Sequence, residues 1–111
     1  MENPKFVLFK GSNNQYYFRL KAKNGEIILK SEGYLSKSSA INGIESVKKH
    51  APHDQYYERK TASNGQYYFN LKAANHEIIG TSEMYTTQSA RDNGIDSVKR
   101  NAPIAPIEDL T

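Results

Sequence analysis

Two short stretches hold the residues best suited to chemistry. In QYYFRLKA, Tyr17, Arg19 and Lys21 alternate with Tyr16, Phe18, Leu20 and Ala22; in QYYFNLKA, Tyr68, Asn70 and Lys72 stand in the same places. On a strand, side chains alternate between faces, so each basic and aromatic set lies opposite an apolar one. Aromatic rings and cations on an open sheet face can stack bases and contact phosphate. They can equally meet a partner protein, and tyrosine and lysine are good strand residues in their own right. The candidate partner-binding set is Tyr17, Arg19, Lys21, Tyr68 and Lys72.

Other chemistries find weaker footing. Neither G-x-G-x-x-G nor G-x-x-x-x-G-K occurs, so no phosphate loop is indicated. His50, His53 and His76 are the only histidines. The run His50-Ala51-Pro52-His53 offers two imidazoles where metal sites normally need three or four ligands. A chain without cysteine has no thiolate site and no disulfide. Glu32 and Glu83, each two residues before a tyrosine, would make a carboxylate pair for hydrolysis only if the fold brought both to one bond. No catalytic residue, cofactor or metal is expected.

The elements that must position these residues come in duplicate. Sliding the chain by 51 positions aligns Asn13–Pro52 with Asn64–Pro103 without a gap, and 24 of 40 positions are identical. Each unit opens with a strand candidate, KFVLFK or QYYERK, followed by turn-rich GSNNQ or TASNGQ. Next come the alternating strand, a turn and a third strand, EIILKSE or EIIGTSE. Asn24-Gly25 reads as a type I′ hairpin turn with both central residues at positive φ. In the second copy Asn75-His76 replaces it, and histidine tolerates positive φ less well than glycine.

After the third strand the period lengthens. Ala40, Ile44, Val47 and Ala51, with Ile41 beside them, mark one apolar helical stripe; Ala90, Ile95, Val98 and Ala102 mark the second. Ser36 or a neighbour caps the first helix, Lys48, Lys49 and His50 suit its C-terminal dipole, and Pro52 ends it. Gly43 and Gly94 fall inside these helices, where glycine costs about 1 kcal/mol relative to alanine. Their presence in both copies points to close approach of the helix to the sheet or to its twin.

A chain of 111 residues fits one ordinary domain. A βββα unit of about half that length has too small a core to stand alone. The expectation is therefore a single α+β domain of two repeats, 1–53 and 54–111. A pseudo-twofold axis joins them into one antiparallel sheet covered by two helices. Fifteen basic and twelve acidic residues leave a net charge of +3, with both signs interspersed rather than gathered into a basic stripe. The sequence shows no leader or membrane segment, so a cytoplasmic place is expected, with no membrane partner.

The residues YYFRLKAxNGEII, SEGYxSK and NGIxSVKKxAP resemble the YegP-like family, small bacterial proteins filed as a domain of unknown function. The resemblance runs through Lys5–Pro52 and Tyr56–Pro103. It implies a β(3)-αβ unit used twice, with C-terminal strands exchanged near Gln55–Arg59 and Ile104–Asp109, and it implies no activity. The reading is a monomer with a pseudo-dimeric fold, a non-catalytic binding or stress-associated accessory protein. A protein partner comes first, a weak single-stranded nucleic-acid module second, and a small hydrolase third.

Overall fold

The computed structural model describes residues 3–111; Met1 and Glu2, at the start of the first repeat, lie outside the described residues. The first half contains β1 (Lys5–Lys10), β2 (Tyr16–Lys21), β3 (Ile27–Lys30) and α1 (Lys37–His50). The second contains β4 (Tyr57–Thr61), β5 (Tyr67–Lys72), β6 (Ile78–Thr81) and α2 (Gln88–Asn101), and β7 (Ile107–Asp109) follows. Short 3-10 turns over Asp54–Tyr56 and Ala102–Ile104 precede β4 and the approach to β7.

All seven strands share one sheet in the order β4-β5-β6-β3-β2-β1-β7. The halves meet where β3 pairs antiparallel with β6 at Lys30 and Thr81. Phe6, Leu8, Phe18, Leu20, Leu29, Phe69 and Leu71 are fully buried, as are Ile44, Val47 and Val98 of the helices, with Ile95 nearly so. The helices cross the seam: α1 packs on β2, β5 and β6, and α2 on β5 and β3. Each helix therefore completes the other half's core.

The sheet is mixed rather than wholly antiparallel. β7 runs parallel to β1, pairing Phe6 with Ile107, Val7 with Glu108 and Leu8 with Asp109. The symmetry supplies the reason. β4 follows α1 as β7 follows α2, so the twofold that turns β4 onto β1 gives β7 the direction of β1. The place β4's image would take is already filled by β1, and β7 adds outside it. The strands after the helices thus lie in opposite halves, β4 beside β5 and β7 beside β1. Both start later than the sequence suggests, because Asp54–Tyr56 and Ala102–Ile104 turn in 3-10 geometry. Pro106 contributes only its carbonyl, which accepts from Phe6 N at 2.8 Å.

Two local expectations also change. Gly25 (φ 82°) and His76 (φ 70°) have positive φ, but the asparagines before them do not. The loops are three-residue turns ending in one left-handed residue, and each asparagine Oδ1 accepts the N–H two residues on, from Glu26 or Glu77, at 3.1 Å. Only one position needs positive φ, which histidine can supply. In α2, the mate of Ala40 is Arg91, not Ala90. Arg91, Ile95, Val98 and Ala102 repeat the 4-3-4 spacing of the first stripe; Arg91 is buried and Ala90 only partly so.

The helical glycines receive a specific explanation. A Cβ on Gly43 would collide with Tyr34 Oη, and one on Gly94 with Tyr85 Oη. Each tyrosine stacks on the buried phenylalanine of its own half, Tyr34 on Phe18 at 6.1 Å and Tyr85 on Phe69 at 6.5 Å. The neighbour that demands glycine is a ring on the loop into the helix, not the twin helix. Burial raises the pKa of both phenols. Ser36 and Thr87 cap the helices by accepting from Ser39 N and Ala90 N.

Candidate functional site: the open face of the sheet

The helices cover one face of the sheet, and strand alternation puts Tyr17, Arg19 and Lys21 on the other. Cross-strand pairing then defines a single row across all seven strands. Read from the β4 edge, it is Glu58, Asn70, Thr81, Lys30, Arg19, Val7 and Glu108. Repeat mates stand on opposite sides of its centre: Lys30 with Thr81, Arg19 with Asn70, Val7 with Glu58.

In the second half the row closes on itself. Thr81 Oγ1 donates to Asn70 Oδ1 at 2.9 Å, and Asn70 Nδ2 donates to Glu58 Oε1 at 3.1 Å. Lys72 Nζ donates to Glu58 Oε2 at 2.9 Å. Those hydrogen bonds from Asn70 and Lys72 hold the Glu58 carboxyl below its usual range. Lys72 is therefore already matched to a carboxylate, and Tyr68 lies across from Lys60 on the neighbouring strand.

The first half is arranged differently. Arg19 is exposed, and its guanidinium lies over the Phe9 ring at 4.8 Å. It makes no hydrogen bond or ion pair with any described residue. Phe9 in turn stacks on Tyr17, with centroids 5.7 Å apart, and Asn13 Nδ2 donates to the Tyr17 hydroxyl at 2.8 Å. Shallow hollows flank this stack. One of about 280 Å³ is lined by Phe9, Gly11, Ser12, Asn13, Tyr17 and Arg19; another of about 250 Å³ by Phe9, Tyr17, Phe18, Arg19, Lys30 and Ser31. Lys21 pairs across from Lys5, adding charge at the other end of the strand.

The five residues read as one site from the sequence thus form two separate patches. β2 and β5 are three strand spacings apart, about 14 Å. Tyr17, Arg19 and Lys21 share one patch, and Tyr68 and Lys72 share the other. Phe9 and Lys30 belong to the first patch although sequence reasoning did not select them. The signal was the alternation in KFVLFK, which puts Phe9 on the same face as Tyr17. Another hollow, of about 520 Å³, lies in the other half between Tyr56, Glu58, Lys72 and His76.

His50 is buried: Nδ1 donates to Ser46 O at 2.7 Å and Nε2 accepts from Ala74 N at 3.1 Å. With both nitrogens engaged it staples the end of α1 to the second half's hairpin and is not disposed to bind metal. Among the described residues no three histidine or acidic side chains gather in a metal-holding group. Glu83 pairs with Lys30 at 3.3 Å across the seam, and Glu32 is exposed. The serines before them, Ser31 and Ser82, accept from Phe18 N and Phe69 N, closing the strand ends in both copies. No helix of the described residues is long and apolar enough to cross a membrane.

Fold and face together define a tandem βββα protein with a shared sheet, covered on one side and open on the other. The chain belongs to the family described as "Domain of unknown function (DUF1508)", whose pattern matches twice, at residues 12–58 and 62–109. It is 57% identical over 106 residues to UPF0339 protein YegP of Escherichia coli (strain K12), covering 96% of each chain. It is 56% identical over 106 residues to a UPF0339 protein of Shewanella oneidensis, again covering 96% of each. The solution NMR structure of yegP from E. coli, described as a protein of unknown function, superimposes with a TM-score of 0.94 at 54% identity. That match covers 100% of this chain and 96% of that one. The solution NMR structure of a UPF0339 protein from Shewanella oneidensis gives a TM-score of 0.93, also at 54% identity, over 98% of this chain and 92% of that one.

Proposed function

We propose that the chain is a non-catalytic, cytoplasmic binding module whose first-half sheet face docks an acidic segment of a partner protein. The observation that carries this reading is Arg19, an exposed guanidinium supported on Phe9 and without an acidic partner among the described residues. Its mate Asn70 is consumed within a closed network. A guanidinium held over an aromatic ring is oriented before binding, and its fork suits a carboxylate. A protein partner is favoured over single-stranded nucleic acid because the rings are already engaged. Phe9 packs against Arg19 and Tyr17, and Tyr17 is tied by its hydroxyl to Asn13. Base stacking needs an open ring face.

The test titrates the ¹⁵N-labelled full-length chain with a glutamate-rich extended peptide and, separately, with oligothymidylate at low salt. Peptide should shift Phe9, Tyr17, Arg19 and Lys30, and Arg19→Asn should remove those shifts. Tighter binding of the oligonucleotide, with an affinity that falls steeply as salt rises, would transfer the face to nucleic acid. No binding of either would retire the open face as a site.

A further inference from the structure

We infer that the margin between α2 and β4 holds a small oxyanion of the phosphate class, received by the guanidinium of Arg91. Arg91 occupies the place that Ala40 fills in α1, and its side chain is only 9% exposed. Its guanidinium lies over the Tyr67 ring at 5.6 Å, and Nε donates to Asp92 Oδ1 at 3.2 Å. That is the guanidinium's one hydrogen bond among the described residues. Arginine carries five N–H donors, so the two terminal nitrogens are left without protein acceptors. Among the described residues no buried side-chain nitrogen is sealed from solvent without a partner, so both terminal nitrogens still reach water.

A largely buried guanidinium whose terminal donors meet only water is open to a better acceptor, and nothing in the repeat requires one. The surrounding charges do not discharge it. Asp92 Oδ1 is shared with Arg59 Nε at 3.5 Å, and Arg59 Nη2 and Lys99 Nζ both reach Asp54 Oδ1, at 3.0 and 2.8 Å. Three cations therefore meet two carboxylates. Asp96, one turn further along α2, forms no ion pair with any of them, and with it the local sum is near neutral. The attraction rests on directed N–H donors rather than on net charge. A planar fork held against a ring presents two parallel donors to one oxyanion.

The first-half mates of Arg91, Asp92, Arg59 and Asp54 are Ala40, Ile41, Leu8 and Asn3. The fold therefore forms without this cluster, and Arg91→Ala copies a residue the architecture already accepts.

The experiment follows the Arg91 Nε–Hε signal and the Tyr67 amide of the full-length chain during titration with sodium phosphate, with sodium chloride at matched ionic strength as control. Saturation in roughly the 1–10 mM range is expected, as suits one charge-assisted fork in water. Arg91→Ala should weaken it at least about tenfold, while Arg19→Asn should leave it unchanged. Methyl phosphate titrated in parallel separates a free ion from the end group of a larger molecule; saturation by either supports the site. A non-saturating drift equal to that in chloride would overturn the inference, as would saturation that survives Arg91→Ala. Should Arg91→Ala unfold, the phosphate and chloride arms on the parent chain decide alone.

Discussion

The open faces of the two halves sit on strands of matching order and pairing, yet they are finished in opposite ways. Around Asn70 the side chains bond to one another: Thr81 to Asn70, and both Asn70 and Lys72 to Glu58. Around Arg19 the neighbours are Val7, Phe9 and Lys30, none of which offers a carboxylate. A few substitutions between mates turned one face into a satisfied surface and left the other with donors to give. The helix side shows the reverse. Arg91 and its charged neighbours distinguish the second half, where the first has Ala40, Ile41 and Leu8. Duplication kept the apolar pairs Phe18 and Phe69, Leu20 and Leu71, Ile44 and Ile95, and Val47 and Val98, and let the polar positions around them diverge.

The most severe way to break the comparison is to separate the halves. Each helix packs on strands of the other repeat, so fragments 1–53 and 54–111 should each lose folded structure or dimerise. Sharp monomeric spectra from either fragment would contradict the shared core. Within the intact chain, Ile44→Ala or its mate Ile95→Ala should cost about 2–5 kcal/mol in denaturant unfolding, and Lys48→Ala far less. Equal costs at both sites would mean the helix face is wrongly assigned.

Replacing a helical glycine tests a contact that both halves share. On an open helix Gly→Ala stabilises by up to about 1 kcal/mol. Here Gly43→Ala and Gly94→Ala should instead destabilise by about 1–3 kcal/mol, since the tyrosine hydroxyl must move. A rise in melting temperature for either variant would refute that packing.

Asn70→Ala and Arg19→Ala sharpen the contrast between the faces. The first removes the bonds that Asn70 makes with Glu58 and Thr81 and should cost about 1–3 kcal/mol. The second should change stability by no more than about 0.5 kcal/mol while removing peptide binding. Equal stability losses from the two would erase the distinction drawn between them.

The smallest effect concerns the short added strand. Asp109 is held at about 2 by hydrogen bonds from Lys37 and from Thr111, below its ordinary value of 3.8. Asp54 is likewise held at about 2 by hydrogen bonds from Lys99 and Arg59. A carboxyl lowered on folding stabilises above its ordinary value, and that contribution is lost as pH falls through the folded one. Between pH 4 and about 2, amide exchange at residues 107–111 should therefore rise before exchange in β2. Because both carboxylates are at the surface, salt should blunt the effect. Simultaneous exchange of β7 and β2 would mean that β7 does not open by itself.

Periodicity made most of the fold legible. Alternation through Phe18 and Leu20, the 4-3-4 stripe through Ile44 and Val47, and Pro52 as a stop are local signals set by strand and helix geometry. The 51-residue offset announced two copies, and a core too small for one copy required them to merge. Strictly applied, the same offset also identifies Arg91 as the mate of Ala40; an alanine one position earlier obscured it. The candidate site was half legible. Tyr17, Arg19 and Lys21 share a face because a strand has period two, but their distance from Tyr68 and Lys72 depends on strand order, which no short window encodes.

What the sequence determined by itself is whatever repeats within a few residues: the strands, the capped helices, the buried stripes and the duplication. Tertiary structure decided the rest, because those features arise between residues far apart in the chain. The parallel course of β7 follows from the twofold axis and from β1 already holding the place beside β2. The need for glycine at 43 and 94 comes from a tyrosine ring folded back on the helix. Whether a surface cation is satisfied or free depends on which strand lies beside it: Lys72 meets Glu58 across the β4–β5 pair, and Arg19 finds Val7 at the corresponding place.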